Sequence, residues 1–246
     1  FIVNIQDFIS NYHNHPVLFV GTGLSLRYLE NSYSWDSLLK KVASEFNPDP
    51  EYYLDIKAEH MNPAGYAFDQ IAAQLEKDFN QHLKDNRHGK FEHINDLFYA
   101  NMEKGINISR FKLYLADLLK EVIIKDSASL EIAELKKARK NISSVITTNY
   151  DQMIEQLFSF NPLIGNDILL SNPYGSVYKI HGCVTQPGKI IITESDYEEF
   201  NRKYELIRAQ LLSLFIHNPI IFIGYNIGDK NIKDILRTIF SYVEYN

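Results

Sequence analysis

The chain has 246 residues, 45% of them hydrophobic and 23% charged, enough for one large domain or a main domain with a sizeable insertion. Its net charge of -6 disfavours loose binding to nucleic-acid phosphates, no apolar run approaches the roughly 20 residues that span a bilayer, and no basic segment leads into an apolar stretch as in a signal peptide. The single cysteine, Cys183, excludes an internal disulfide and a four-cysteine zinc site; no His/Cys/Asp cluster has metal-ligand spacing, so no metal is expected and the cytoplasm is the expected compartment.

In chain order, Ile2, Ile5, Phe8 and Ile9 have helical spacing over Ile2 to Tyr12. Pro16 to Val20 is a short apolar run that predicts a buried strand ending in the tight turn Gly21-Thr-Gly-Leu-Ser25. Trp35, Leu38, Leu39, Val42 and Phe46 predict a helix, with Ser34 or Asp36 placed to cap it and Pro48 and Pro50 to stop it. Residues 51 to 140 are rich in Lys, Glu, Asp, Leu, Ala and Tyr and predict several helices, broken near Asn62-Pro63, Asp85 to Gly89 and Gly105. This stretch is expected to be a helical insertion or subdomain, and the flanking segments 1–50 and 141–246 one domain.

Strand character returns at Ile142 to Thr148, followed by Asn149 and a helix over Tyr150 to Phe158. Asn161-Pro162 and Gly165-Asn166 read as loop signals, and Ile168 to Leu170 as a short strand. Ser176 to Ile180 and Lys189 to Ile192 predict strands, then a helix from about Ser195 to Phe215, the apolar strand Pro219 to Ile223 and a helix from about Asn231. The expected fold class is α/β, a Rossmann-like, mostly parallel sheet with helices on both faces. The chain starts at Phe1 and stops just after the amphipathic run Ile232 to Val243, so it is expected to be one domain of a longer polypeptide.

In a parallel sheet, ligands bind beyond the carboxyl ends of the strands. Four motifs are predicted there: Gly21 to Ser25, Thr147 to Asp151, His181-Gly182 and Gly224 to Asp229. Gly21, Thr22 and Gly23 let the backbone approach a diphosphate, and Ser25 adds a hydroxyl donor; the third glycine of the usual dinucleotide fingerprint is absent. Asn149 has an amide suited to a ribose hydroxyl or a water, although Asn149 or Asp151 also fits a plain helix-capping role. His181, between a strand end and Gly182, is suited to accept a proton near neutral pH. In the motif Gly224-Tyr225-Asn226-Ile227-Gly228-Asp229, Gly224 fits close approach by the adenosine half of a dinucleotide and Asp229 fits a helix cap.

Taken in order, these motifs resemble the sirtuin family. Gly21-Thr-Gly-Leu-Ser25 is similar to the family's Gly-Ala-Gly-x-Ser loop, Thr148-Asn-Tyr-Asp151 to its Gln-Asn-Ile-Asp motif, and His181-Gly182 to its catalytic His-Gly pair. The four-cysteine zinc module of the deacylating members is missing. So is the Gly-Ile-Pro-Asp-Phe-Arg segment, replaced here by Tyr33-Ser-Trp35-Asp-Ser-Leu-Leu39. Both departures, and Phe222 to Asp229, resemble the sirtuin-like domains of bacterial anti-phage proteins, of Thoeris and related types.

That resemblance implies an NAD⁺ hydrolase that cleaves the nicotinamide–ribose bond, the N-terminal effector part of a longer abortive-infection protein. The implied site has Asn149 and His181 as catalytic residues, with Gly21, Thr22, Gly23, Ser25, Asp151, Gly224, Tyr225 and Asn226 holding NAD⁺ as substrate. A toxic hydrolase must be restrained, so a homo-oligomer and a regulatory domain or activating phage or partner protein are expected, with residues 51–140 a candidate lid or interface. The alternatives are a non-catalytic NAD⁺ or ADP-ribose sensor or scaffold, and an NAD-dependent protein deacylase.

Overall fold

Five short segments rich in β-branched and aromatic residues pair in parallel to form one sheet: β1 (Val17–Val20), β2 (Ser144–Thr147), β3 (Asn161–Ile164), β4 (Ser176–Lys179) and β5 (Ile220–Ile223). The computed structural model describes residues 15–225 except positions 64, 171–173 and 204, together with positions 233, 236 and 237. The helix expected over Ile2 to Tyr12 lies outside the described residues, as does most of the one expected from about Asn231. The strand order is β3-β4-β2-β1-β5, so the chain leaves β1 for one side of the sheet and closes on the other with β5.

Alternating side chains load the two faces with separate cores, as the period of two requires. Leu18, Val20, Val145 and Val177 pack on one face with α1 (Thr22–Tyr28). Val17, Phe19, Ile146 and Tyr178 face the other way and pack with Ile207, Leu211 and Leu214. The expected α/β sheet with helices on both faces is therefore what forms.

Between β1 and β2 lie α2 (Trp35–Phe46), α3 (Pro50–Glu59), α4 (Phe68–Asp85), α5 (Glu92–Glu103), α6 (Arg110–Leu119) and α7 (Ser129–Lys137). Ser34 caps α2 by accepting from the Ser37 amide at 3.2 Å, and Ser109 does the same for α6 through Lys112 at 3.2 Å. Pro50 opens α3 rather than only closing α2, since its missing N–H costs nothing in a first turn. Ile71, Ala72, Leu75, Phe79 and Leu83 form the buried stripe of α4. Helices α2 to α6 share one core with Tyr150, Cys183, Val184, Ile190 and Ile192 of the sheet-end loops, so they are packed directly on the segments that carry the motifs, while α7 packs on the α1 face through Ile132.

Five local expectations are corrected. Asn161–Ile164 is a strand, because a proline is tolerated in an edge strand, and Ile168 to Leu170 belongs to the 3₁₀ turn Gly165–Leu170. Ile190 to Ile192 is buried but joins no strand; it is tied to the His181 turn through Ile191 N–H to the His181 carbonyl at 3.0 Å. Short apolar runs report burial before they report a ladder. The long helix expected to Phe215 is two, α9 (Glu194–Lys203) and α10 (Glu205–His217); α8 is confined to Met153–Phe158.

Candidate active site

The sheet is in register, with Val20 opposite both Thr147 and Ile223 and Thr147 opposite Lys179. The residues that follow, Gly21, Thr148, Ile180 and Gly224, therefore leave one edge side by side. Asn149 and His181 each stand two positions beyond the Thr147–Lys179 pair on neighbouring strands. This row is the carboxyl edge at which the strand order reverses.

Asn149 is buried, and its carboxamide is fixed from both sides. Nδ2 donates to the Gly21 carbonyl at 3.1 Å and to Ser25 Oγ at 3.0 Å, while Thr22 Oγ1 donates to Oδ1 over a longer 3.4 Å. The Asn149 amide donates to Thr147 Oγ1 at 3.1 Å, and that hydroxyl donates to the Val20 carbonyl at 2.9 Å. Ser25 Oγ in turn donates to Asp151 Oδ2 at 2.8 Å, and Asp151 Oδ1 accepts from the Met153 amide at 2.9 Å. Both donors of the carboxamide are thus satisfied within the protein, and Oδ1 keeps acceptor capacity for a ligand hydroxyl. Asp151 serves the capping role at the start of α8 and the Ser25 bond at once.

A small cleft of about 50 Å³ opens over this network, well below the usual size of small-molecule sites. Thr22, Ser25, Asn149 and Asp151 line it together with Thr148 and Tyr150. The remaining wall is Asn31, Ser32, Tyr33, Trp35 and Leu38 from the segment after α1, and Leu119 from α6. Sequence reasoning named none of this wall as site residues, and the only signal for it was Trp35, the one tryptophan.

The glycines meet one another. Gly23 N–H donates to the Gly224 carbonyl at 2.8 Å, and a Cβ at Gly21 would stand 2.6 Å from that same oxygen. Gly224 has φ +61, and a Cβ there would reach the Leu24 amide at 2.3 Å. The loops after β1 and β5 are therefore interlocked backbone to backbone. The Tyr225 ring turns to Phe19, with centroids 4.7 Å apart, on the α10 face of the sheet. Asn226 lies outside the described residues.

His181 is 2% exposed and is not among the residues lining the cleft. Its ring packs edge-on against Tyr197 at 5.4 Å and Phe200 at 6.2 Å between centroids, both on α9. Tyr197 lies 6.4 Å from Trp35 of the cleft wall, so one aromatic ring links His181 to the cleft. α9 is held to the helical stretch by Lys112 and Asp196 at 2.6 Å, a pair shielded on both sides, and by Gln70 and Glu194 at 2.7 Å. The turn bearing His181 is tied to the Asn149 loop: Val184 N–H donates to the Tyr150 carbonyl at 3.0 Å, and Tyr150 Oη donates to the Ile191 carbonyl at 2.7 Å.

The described residues hold no cluster of three or more His, Cys, Asp or Glu suited to a metal ion. Among them no helix is long and apolar enough to cross a membrane.

Residues 143–244 match the model of the SIR2-like domain. The chain is 24% identical to the NAD(+) hydrolase ThsA of Cytobacillus dafuensis over 246 residues, covering 96% of this chain and 40% of that protein. It is 23% identical to the NAD(+) hydrolase ThsA of Bacillus cereus (strain MSX-D12), covering 98% and 43%. Defense-associated sirtuin 2 of Bacillus subtilis is 31% identical over 108 residues, covering 40% of this chain and 11% of that protein. The chain spans about two fifths of the length of these hydrolase relatives.

Proposed function

We propose that this chain, which carries a SIR2-like domain, hydrolyses NAD⁺ at the nicotinamide–ribose bond to give nicotinamide and ADP-ribose. The observation that carries the reading is the Asn149 carboxamide, locked by Gly21 and Ser25 at the cleft with its oxygen available to a ribose hydroxyl. The hydrolase relatives, matched along almost the whole of this chain, support the same reading.

The bond to be broken already carries a good leaving group, since the cationic pyridinium departs as neutral nicotinamide. The transition state resembles an oxocarbenium ion, as in glycoside hydrolysis. The protein then has to hold the diphosphate, fix the ribose and accept a proton from the attacking water. Thr22, whose hydroxyl makes only the long bond to Asn149, serves the diphosphate side. Asn149 Oδ1 orients a ribose hydroxyl. His181 accepts the proton through a ribose hydroxyl, or directly once Tyr197 and Trp35 shift. In this reading the chain is the effector of an abortive-infection defence protein, acting in the cytoplasm as a homo-oligomer and restrained until a regulatory domain or a phage or partner protein releases it.

The test is incubation of the chain, and of the full-length protein, with NAD⁺ and separation of the products. Nicotinamide with ADP-ribose is the expected pair. Binding of NAD⁺ without turnover in both forms, with any activator present, would instead support the sensor, and transfer of acyl groups from a peptide would support the deacylase.

A further inference from the structure

Lys179 ends β4, and its side chain is wholly buried, 3.1 Å from the Glu155 carboxylate, itself 8% exposed. A buried ion pair is a weak source of stability, because removing two charges from water offsets most of their attraction. Its placement is more informative. The Lys179 ammonium donates to the backbone carbonyl of Asp151. The buried Glu155 carboxylate balances the charge of the ammonium, which also reaches the Asp151 carbonyl.

Asp151 is thereby held at three points: its carbonyl by Lys179, Oδ2 by Ser25 and Oδ1 by the Met153 amide. Asn149 stands two residues before it in the same loop. The carbonyl of Lys179 accepts from Gly182 N–H at 3.1 Å and closes the turn that bears His181. Gly182 has φ +90, and a Cβ there would meet the Lys189 carbonyl at 2.3 Å, so this turn has little freedom. One residue therefore grips the loop of Asn149 with its side chain and the turn of His181 with its backbone.

We propose that Lys179 is a positioning residue: its ammonium sets the loop 148–152 against the His181 turn, and so fixes the relative placement of Asn149 and His181. This rests on the hydrolase reading above for its consequence in turnover, but not for the tether itself.

The test is a double variant, Glu155→Met with Lys179→Met, which removes both charges together, leaves no unpaired charge in the interior and frees the Asp151 carbonyl. It should melt close to the parent. Amide exchange over residues 148–152 should rise about tenfold while β1 and β2 stay protected, and kcat for nicotinamide release should fall about a hundredfold with KM little changed. Glu155→Gln, which keeps the ammonium on Asp151, should retain near-parental kcat. If the double variant does not fold, Lys179→Met with Glu155→Gln gives the same readouts. Unchanged loop exchange overturns the tether whatever the turnover, and a loosened loop with parental kcat overturns the positioning role. A parent chain that releases no nicotinamide, with a loop that still loosens in the variant, refutes the hydrolase reading and upholds the tether.

Discussion

The carboxamide of Asn149 donates a 3.0 Å hydrogen bond to the hydroxyl of Ser25, joining residues 124 positions apart. That contact binds the loop after β2 to the first turn of α1 and fixes which face of the amide meets the cleft. It makes the two residues one unit, so their substitutions should not act independently.

Asn149→Ala is expected to lower the rate of nicotinamide release by about two to four orders of magnitude. It also leaves the Gly21 carbonyl short of a donor, at a stability cost of about 1–3 kcal/mol. Ser25→Ala should be milder. The double variant should lose less than the sum of the two, with coupling of about 0.5–3 kcal/mol in a cycle measured on kcat/KM. Strict additivity would show that the contact does not organise the site.

His181→Ala is expected to remove turnover by a similar factor of about 10² to 10⁴. Binding of NAD⁺, measured by calorimetry, should persist, because the cleft is lined by other residues. Parental rates in this variant and in Asn149→Ala would remove both residues from the chemistry.

Trp35 lines the cleft and lies 6.4 Å from Tyr197, so Trp35→Ala should raise KM for NAD⁺ more than it changes kcat. A steady-state series in NAD⁺ concentration checks this. An effect confined to kcat would place Trp35 on the path of the proton rather than on the wall.

Gly21→Ala and Gly224→Ala are expected to unfold or strongly destabilise the chain, by more than about 2 kcal/mol. The added Cβ atoms would stand 2.6 Å from the Gly224 carbonyl and 2.3 Å from the Leu24 amide. Thermal melting checks it. Stable variants that lose only NAD⁺ binding would restore a purely ligand-facing role to these glycines.

Acid should weaken the contact between α2 and the α4–α5 connection through Glu45. Burial pushes its carboxyl up, but the ammonium groups of Lys41, 2.5 Å away, and Lys90 outweigh it and hold the carboxyl below its ordinary value. A depressed folded-state pKa means that the charged form stabilises the fold at pH above the unfolded value, about 4.3. That contribution is lost as pH falls through the lower folded value. Urea unfolding from pH 7 to pH 3 should show the stability gap between the parent and Glu45→Gln shrinking below about pH 4.3. A gap independent of pH would mean that the pair contributes by packing alone.

Much of the fold was legible in the sequence, because burial leaves a period. Val17 to Val20, Ser144 to Thr147 and Ile220 to Ile223 read as strands, and Ile71 to Leu83 as part of a helical stretch, since apolar residues must sit where water is excluded. The motifs at strand ends were legible too, since glycines and short polar side chains mark where the chain turns. Pairing was not. Ile190 to Ile192 and Asn161 to Ile164 exchanged roles because an apolar run does not say whether a neighbouring strand lies beside it. The tertiary structure alone decided that Asn149 meets Ser25, that Gly21 and Gly23 press on Gly224, that the ring of His181 sits behind Tyr197, and that Lys179 reaches Asp151. The Asn149–Ser25 and glycine contacts join segments more than 100 positions apart, and their partners are set by strand order and register. The local pattern of residues carries no record of that choice.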